Sequence, residues 1–322
     1  LLNIWRARWL SLVTATAFQV SPVVQTRSFV ALGGLATSDI DEDFMYQILA
    51  AMSKACDSFH DNSSITVVSM LRCVCKLMPA LNDHRRYVPA FFWLGVALLE
   101  HGHPAFFAEA SSLIQVSLET MEKKGLFRNR AVSTVLLEAR QPFEDATLQM
   151  DDMLGISFDT EFSISLAHVL FKGIRHSILK ESAEDVLRTL LRISVKSHHQ
   201  LHGEGASNGI HSILPVDSLG YFLALLSVSS STTSYQRLLK EAGIEDAWHA
   251  EAGLPDLDRD GGCAPKVTPV FLGINDFNTA LMVATFIGTM LGSAQGDDAE
   301  TEMLYGLLAE LALSFPDVIS LV

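Results

Sequence analysis

The most suggestive chemical run in the sequence is Asp256-Leu257-Asp258-Arg259-Asp260-Gly261. Aspartates at alternate positions can converge on one cation, and a glycine lets the chain turn around it, as at the opening of an EF-hand calcium loop. The twelfth position, where a bidentate glutamate closes such a cage, is Val267, and Pro265 interrupts the loop. The run therefore reads as a flexible acidic segment. His101 and His103 fall in a turn, and His198, His199 and His202 fall at a helix end, where cations complement the helix dipole. Cys73 and Cys75 are too close for a CxxC pair, and no second pair exists. With Cys56 they lie among apolar residues and read as buried thiols. Four cysteines are too few for a disulfide scaffold and read as reduced. Asn62-Ser63-Ser64 matches a glycosylation sequon but reads more simply as a helix cap. GxSxG, GxxxxGK[ST] and HExxH are all absent, and the carboxylates are scattered. No catalytic residue, cofactor-binding residue or metal ligand is assigned, and no cofactor is expected.

The elements that would carry any site are helical. Apolar residues recur at i, i+3, i+4 and i+7, as in Leu166, Val169, Leu170 and Ile174. The pattern predicts helices over 4–18, 22–36, 40–59, 64–79, 86–101, 104–123, 131–140, 143–153, 160–175, 180–200, 209–228, 234–241, 276–293 and 297–313. Ser21-Pro22 supplies a cap and a first-turn proline. Asp39 to Asp43 place acid at a helix start, and Lys172, Arg175 and His176 place base at a helix end. Short loops join these helices in pairs, with pair starts near 4, 40 and 86, a step of roughly 40 residues that suits HEAT or armadillo repeats. The expected fold is an all-α, HEAT/armadillo-like α-solenoid of paired antiparallel helices. Repeats should occupy 1–249, a flexible acidic Pro/Gly linker 250–269, and a terminal helical unit of the same solenoid 270–322.

Composition narrows the function. Hydrophobic residues make up 49% and charged ones 19%, enough apolar content for a large core and too little charge for a disordered chain. A net charge of −14 disfavours nucleic acid and anionic lipid and favours partners with basic patches. Residues 277–296 are uncharged and long enough to span a bilayer. Asn278, Gln295, three threonines and three glycines dilute them, so a buried helix is expected despite the Gly288/Gly292 spacing of packed membrane helices. Phe91, Phe92 and Trp93, with Phe106 and Phe107, should be core. The opening residues lack the marks of a signal peptide and an initiator methionine, as a piece of a longer cytoplasmic chain would.

Several stretches carry a family resemblance. Trp5, Arg8-Trp9, Ala17-Phe18-Gln19 and Gln25-Thr26-Arg27 open the chain, and AFFWLGVALLE occupies 90–100. The most specific stretch is QMDDMLGISFDTEFSISLAHVLFKGIRH at 149–176, followed by Gly220 to Leu226, Val228-Ser229, Glu310-Leu311 and Phe315-Pro316. The sequence resembles the C-terminal helical-repeat region of neurofibromin-type Ras GTPase-activating proteins, of fungal kind, over essentially the whole chain. Relatives can carry a long insertion before the last unit, and here that interval is short. The resemblance implies a non-catalytic scaffold in a negative regulator of Ras, serving assembly, homodimerisation and protein contacts. The activating domain that contacts Ras, and the lipid-binding module that recruits the protein to membranes, would lie outside this chain. The activating domain's FLR motif and Asn-Pro-Ala run are absent. Arg6, Arg8, Arg85, Arg86, Arg128 and Arg130 have structural explanations in helices and a polar turn. Two rival readings predict different surfaces: a peptide-binding adaptor needs an exposed groove, and an all-helical enzyme needs a pocket with convergent polar groups.

Overall fold

The computed structural model describes residues 2–19, 21–35, 42–57, 64–81, 84–100, 103–143, 158, 162–202, 214–229, 232–244, 268–271, 273–294 and 298–320. Every regular element among them is a helix. The chain divides into two compact units, residues 1–126 and 127–322.

The first unit holds α1 (Leu2–Ala17), α2 (Pro22–Leu35), α3 (Glu42–Asp57), α4 (Ser64–Leu77), α5 (His84–Glu100) and α6 (Pro104–Lys123). Pro22 and Pro104 each stand at a first helical position, where a missing N–H costs nothing. At the start of α1, Arg6 Nε and Nη2 donate to the Leu35 carbonyl at the end of α2, at 2.8 and 2.6 Å, so the two helices run antiparallel. The even-numbered helices stack on one another in parallel. The Thr26 hydroxyl on α2 meets that of Thr66 on α4 at 2.9 Å, forty positions on. Farther along the same pair, a Cβ on Gly33 would lie 3.2 Å from Cys73 Cα, at the same offset. From α4 to α6 the step is nearly the same: Arg72 Nε donates to Glu109 Oε1 at 2.8 Å, 37 positions on. Just past α4, Met78 Sδ accepts from the Ser117 hydroxyl, 39 positions on. This near-constant displacement of one helix pair onto the next is the defining geometry of an α-solenoid, and it realises the forty-residue step legible in the pair starts. The aromatic run is core: Phe91, Phe92, Phe106 and Phe107 are buried and Trp93 is 6% exposed, edge-on to Phe92.

The second unit holds α7 (Val132–Arg140), α8 (Phe162–Ile174), α9 (Lys180–His202), α10 (Val216–Leu226), α11 (Thr232–Ala242), α12 (Thr268–Phe271), α13 (Phe277–Ser293), α14 (Asp298–Ser314) and α15 (Pro316–Ile319). Here α8 and α10 are the centre. Every residue of α10 from Ser218 to Leu226 is buried, as is every residue of α8 except His168 and Lys172. Helices apolar on all sides must lie between neighbours, and α8 packs on α9, α10 and α13. The α8–α10 contact is backbone to backbone: a Cβ on Gly220 would lie 2.4 Å from the Ser163 carbonyl oxygen.

Several expectations shift. The helix expected from 209 begins at Val216, because Pro215 is extended (φ −59°, ψ 135°) and acts as its cap. The short α12 and α15 had no periodicity to announce them, being four residues each. Cys56, read as buried, is exposed: it continues the buried stripe Met45, Ile48 and Met52 but lies in the last turn of α3, one residue before the helix ends. Gly292 faces open space, so the Gly288/Gly292 spacing makes no packing seam there. Asp276 caps α13, accepting from Thr279 N at 2.8 Å and Thr279 Oγ1 at 2.6 Å. No described helix is long and apolar enough to cross a membrane. The helix expected over 143–153, the six-residue run 256–261 and residues 250–267 of the expected linker lie outside the described residues, save Phe143, which closes a 3-10 turn.

Candidate functional site

Among the described residues, those singled out for possible chemistry form no common site. His103 caps α6, its Nδ1 accepting from Ala105 N at 3.3 Å, with its ring 4.9 Å from Phe106. His198 and His199 stand edge to face, 6.4 Å between centroids, on α9. His101 and the side chain of His202 lie outside the described residues. Among the described residues no three histidine, cysteine or carboxylate groups cluster as a metal site. The thiols of Cys73 and Cys75 are pushed up to about 12, in both cases chiefly by burial, and neither is a nucleophile near neutral pH. Arg128 is exposed in the turn after α6, and Arg130 beside it pairs with Glu138.

Two arginines do more than sequence position suggested. Arg175, read as a helix-end cation, ties three helices. Its Nη1 donates to Glu300 Oε2 at 3.0 Å, at the start of α14, and its Nη2 reaches the Met290 carbonyl of α13 at 3.4 Å. Its guanidinium lies 4.8 Å over the Phe171 ring of α8. Arg140, almost fully buried, covers the Phe158 ring at 4.7 Å, so the Phe158 of the most family-like stretch is anchored by α7.

The feature that sequence reading missed is a cleft of about 590 Å³ between α9 and α11. Among the described residues, Arg192, Lys196 and His199 of α9 and Lys240 and Glu241 of α11 line it. Arg188 Nη1 donates to Glu241 Oε2 at 2.7 Å, and Arg237 Nε donates to Glu241 Oε1 at 2.8 Å. That carboxylate is thus already held by two guanidinium groups. Its lining includes Gly243, left-handed at φ +71°, a conformation that favours glycine. The signal was present in the sequence: Arg188, Arg192, Lys196 and His199 fall at i, i+4, i+8 and i+11, one face of a helix. What the sequence could not show was α11 closing the other side.

In the first unit, α1 presents Ile4, Trp5, Trp9 and Leu12 outward on one face, with the tryptophans more than half exposed. Arg8 lies 5.9 Å over the Trp5 ring.

Comparison with known proteins bears on what this scaffold belongs to. No protein-family model matches the sequence. Over 202 residues, 61% of the chain, it is 22% identical to "Inhibitory regulator protein IRA2" of Saccharomyces cerevisiae. The chain is similar to a segment of a neurofibromin-type Ras regulator. The match covers 6% of that relative's length, so the chain spans a small part of it. The residue-level resemblance and this match agree, and the all-α solenoid geometry is what the resemblance implies. Two of its most family-like runs, the later part of 149–176 and Gly220 to Leu226, are α8 and α10, the most completely buried helices of the second unit.

Proposed function

We propose that this chain is a non-catalytic helical-repeat segment of a neurofibromin-like inhibitory regulator of Ras signalling, serving assembly and protein contacts in the cytoplasm. The observation that carries the reading is the similarity to the inhibitory regulator. The parallel stacking of α2, α4 and α6 at offsets of 37 to 40 residues supports it, because such stacking builds extended surfaces rather than a closed pocket. The outward Trp5 and Trp9 suit protein contact, since tryptophan is enriched where interfaces are strongest. Self-association of the longer protein and contacts with basic partners follow as proposals, with Ras engaged by a domain outside this chain and no insertion into membrane.

Acceleration of GTP hydrolysis needs an arginine placed at the nucleotide phosphates, contributing about 10³–10⁵ in rate. Arg128 and Arg130 are the arginines nearest to a loop finger, and Arg130 is held by Glu138. A single-turnover GTPase assay with excess chain over Ras should show the intrinsic rate. Acceleration of about a hundredfold or more that Arg128→Ala or Arg130→Ala abolishes would overturn the non-catalytic reading. Deleting residues 1–322 from the longer protein should leave its GTPase activation in place and change its assembly mass by light scattering. Loss of activation by a well-folded deletion protein would likewise count against a scaffold role.

A further inference from the structure

We propose that Ser133, at the start of α7, is a phosphorylation site for a protein kinase that reads arginines on the N-terminal side of its target. The inference goes beyond a scaffold role in Ras regulation and does not depend on it.

The residues stand on one short turn. Arg128-Asn129-Arg130-Ala131-Val132-Ser133 sets a hydroxyl three and five positions after two guanidinium groups. An acidic kinase groove pairs with cations at such fixed offsets, and charge patterning of this sort is how kinases choose substrates. The chain carries −14 overall, yet no acid occurs between Glu122 and Glu138. Arg128 is exposed in the turn, and Arg130 is held by Glu138 in an exposed ion pair, which is weak. The arrangement Arg-x-Arg-x-x-Ser occurs once more, at Arg6, Arg8 and Ser11. That copy lies within the sixteen-residue α1, with Arg6 Nε and Nη2 bonded to the Leu35 carbonyl. A kinase groove takes its substrate extended, so Ser11 is locked in helix and Ser133 is not.

The start of α7 can open. Ala131 is already extended (φ −62°, ψ 144°), and Asn129 before it is left-handed at φ 55°. α7 has nine residues, no side-chain cap and no acid in its first turn, so its first turn is weakly held. Freeing the segment costs the burial of Val132 and the hydrogen bond that the Ser197 hydroxyl gives to the Arg130 carbonyl. In the transfer, the Ser133 oxygen bonds to the γ-phosphorus of ATP as the bond to the β-phosphate oxygen breaks. The hydroxyl proton passes to the kinase's catalytic aspartate, and ADP leaves. In the unmodified chain Ser133 Oγ donates to Asp217 Oδ2 on α10 at 3.2 Å. A phosphoserine has no such proton to give and sets nearly two negative charges against that carboxylate. The modification therefore cuts this tie between α7 and α10.

The test is incubation of the intact 322-residue chain with magnesium ATP and the catalytic domain of protein kinase B, a kinase of this arginine preference, with tandem mass spectrometry to place the phosphate. Phosphate on Ser133 is expected. Arg128→Ala and Arg130→Ala, both at exposed positions, should leave the melting temperature unchanged. Each should slow labelling about tenfold or more, since a hydrogen bond to a charged group is lost. A free peptide of residues 126–140 sets the rate for the open segment. The intact chain should be labelled no more than about a thousandfold more slowly than the peptide, the cost of local opening. Slower labelling than that marks global unfolding and overturns the proposal. So does phosphate on Ser11 in place of Ser133, or labelling of Ser133 that survives the loss of both arginines.

Discussion

Gly220→Ala puts one methyl group where the structure has no space for it. The new Cβ would stand 2.4 Å from the Ser163 carbonyl oxygen, 2.5 Å from its carbon and 2.6 Å from Ile164 Cα. All three are backbone atoms of α8, so no side chain can rotate away. To restore ordinary contact, α8 and α10 must separate by about 1 Å, which on a 6–12 potential forfeits a quarter to a half of each contact along the seam. Both helices are core on nearly all sides, so the loss spreads to α9 and α13. Overpacking of this kind costs about 1–3 kcal/mol and occasionally more, and the gain in helix propensity from Gly to Ala returns about 1 kcal/mol at most. We expect a net loss of about 1–2 kcal/mol, or roughly 2–8 °C in Tm at 2–4 °C per kcal/mol for a unit of this size. Gly292→Ala is the control: nothing lies within 4 Å of its Cβ, so the propensity gain should appear undiminished, stabilising by up to about 1 kcal/mol. Urea and thermal unfolding followed by circular dichroism read both. If Gly220→Ala melts with or above the parent chain, the close approach of α8 and α10 is not what holds the second unit, and the packing argument fails.

Arg175→Gln should destabilise by roughly 1–3 kcal/mol, since it strips a charged partner from the nearly buried Glu300, and adding Glu300→Gln should recover part of that loss in a double-mutant cycle by urea titration. In a Cys263→Ser chain at pH 8, a disulfide reagent should label Cys56 quickly, half-buried Cys75 slowly, and buried Cys73 only when denaturant is added, because burial pushes the latter two thiols up to about 12; three equal fast phases would contradict this order. Hydrogen bonds from the Thr279 hydroxyl and backbone hold the Asp276 carboxyl below its ordinary value, so its stabilising contribution is complete above that ordinary value and is lost as pH falls through the lowered one. Asp276→Ala should therefore cost about 1 kcal/mol at neutral pH, read by urea unfolding, with the gap to the parent chain closing under acid and Asp276→Asn losing less at pH 7.

Local periodicity was enough to find the longer described helices. The apolar repeats at 22–36, 64–79 and 104–123 became α2, α4 and α6 with ends displaced by no more than two residues, because a helix is made by residues three and four apart. The forty-residue step was legible for the same reason: equal helices joined by short loops leave each pair little choice but to stack on the one before it. The breakdowns came where distant segments meet. Glu241 is held by an arginine 53 positions away, and Arg175 reaches a glutamate 125 positions away. No spacing rule relates such residues. Gly220 reads in the sequence as a weak point in a helix, and only its approach to Ser163 explains why no larger residue fits there. Cys56 carried the right residue type on the right stripe, and only where α3 ends placed it in solvent. The basic face of α9 was written in its four-residue spacing, but a face becomes a cleft only when a second helix stands opposite it, and tertiary packing alone placed α11 there.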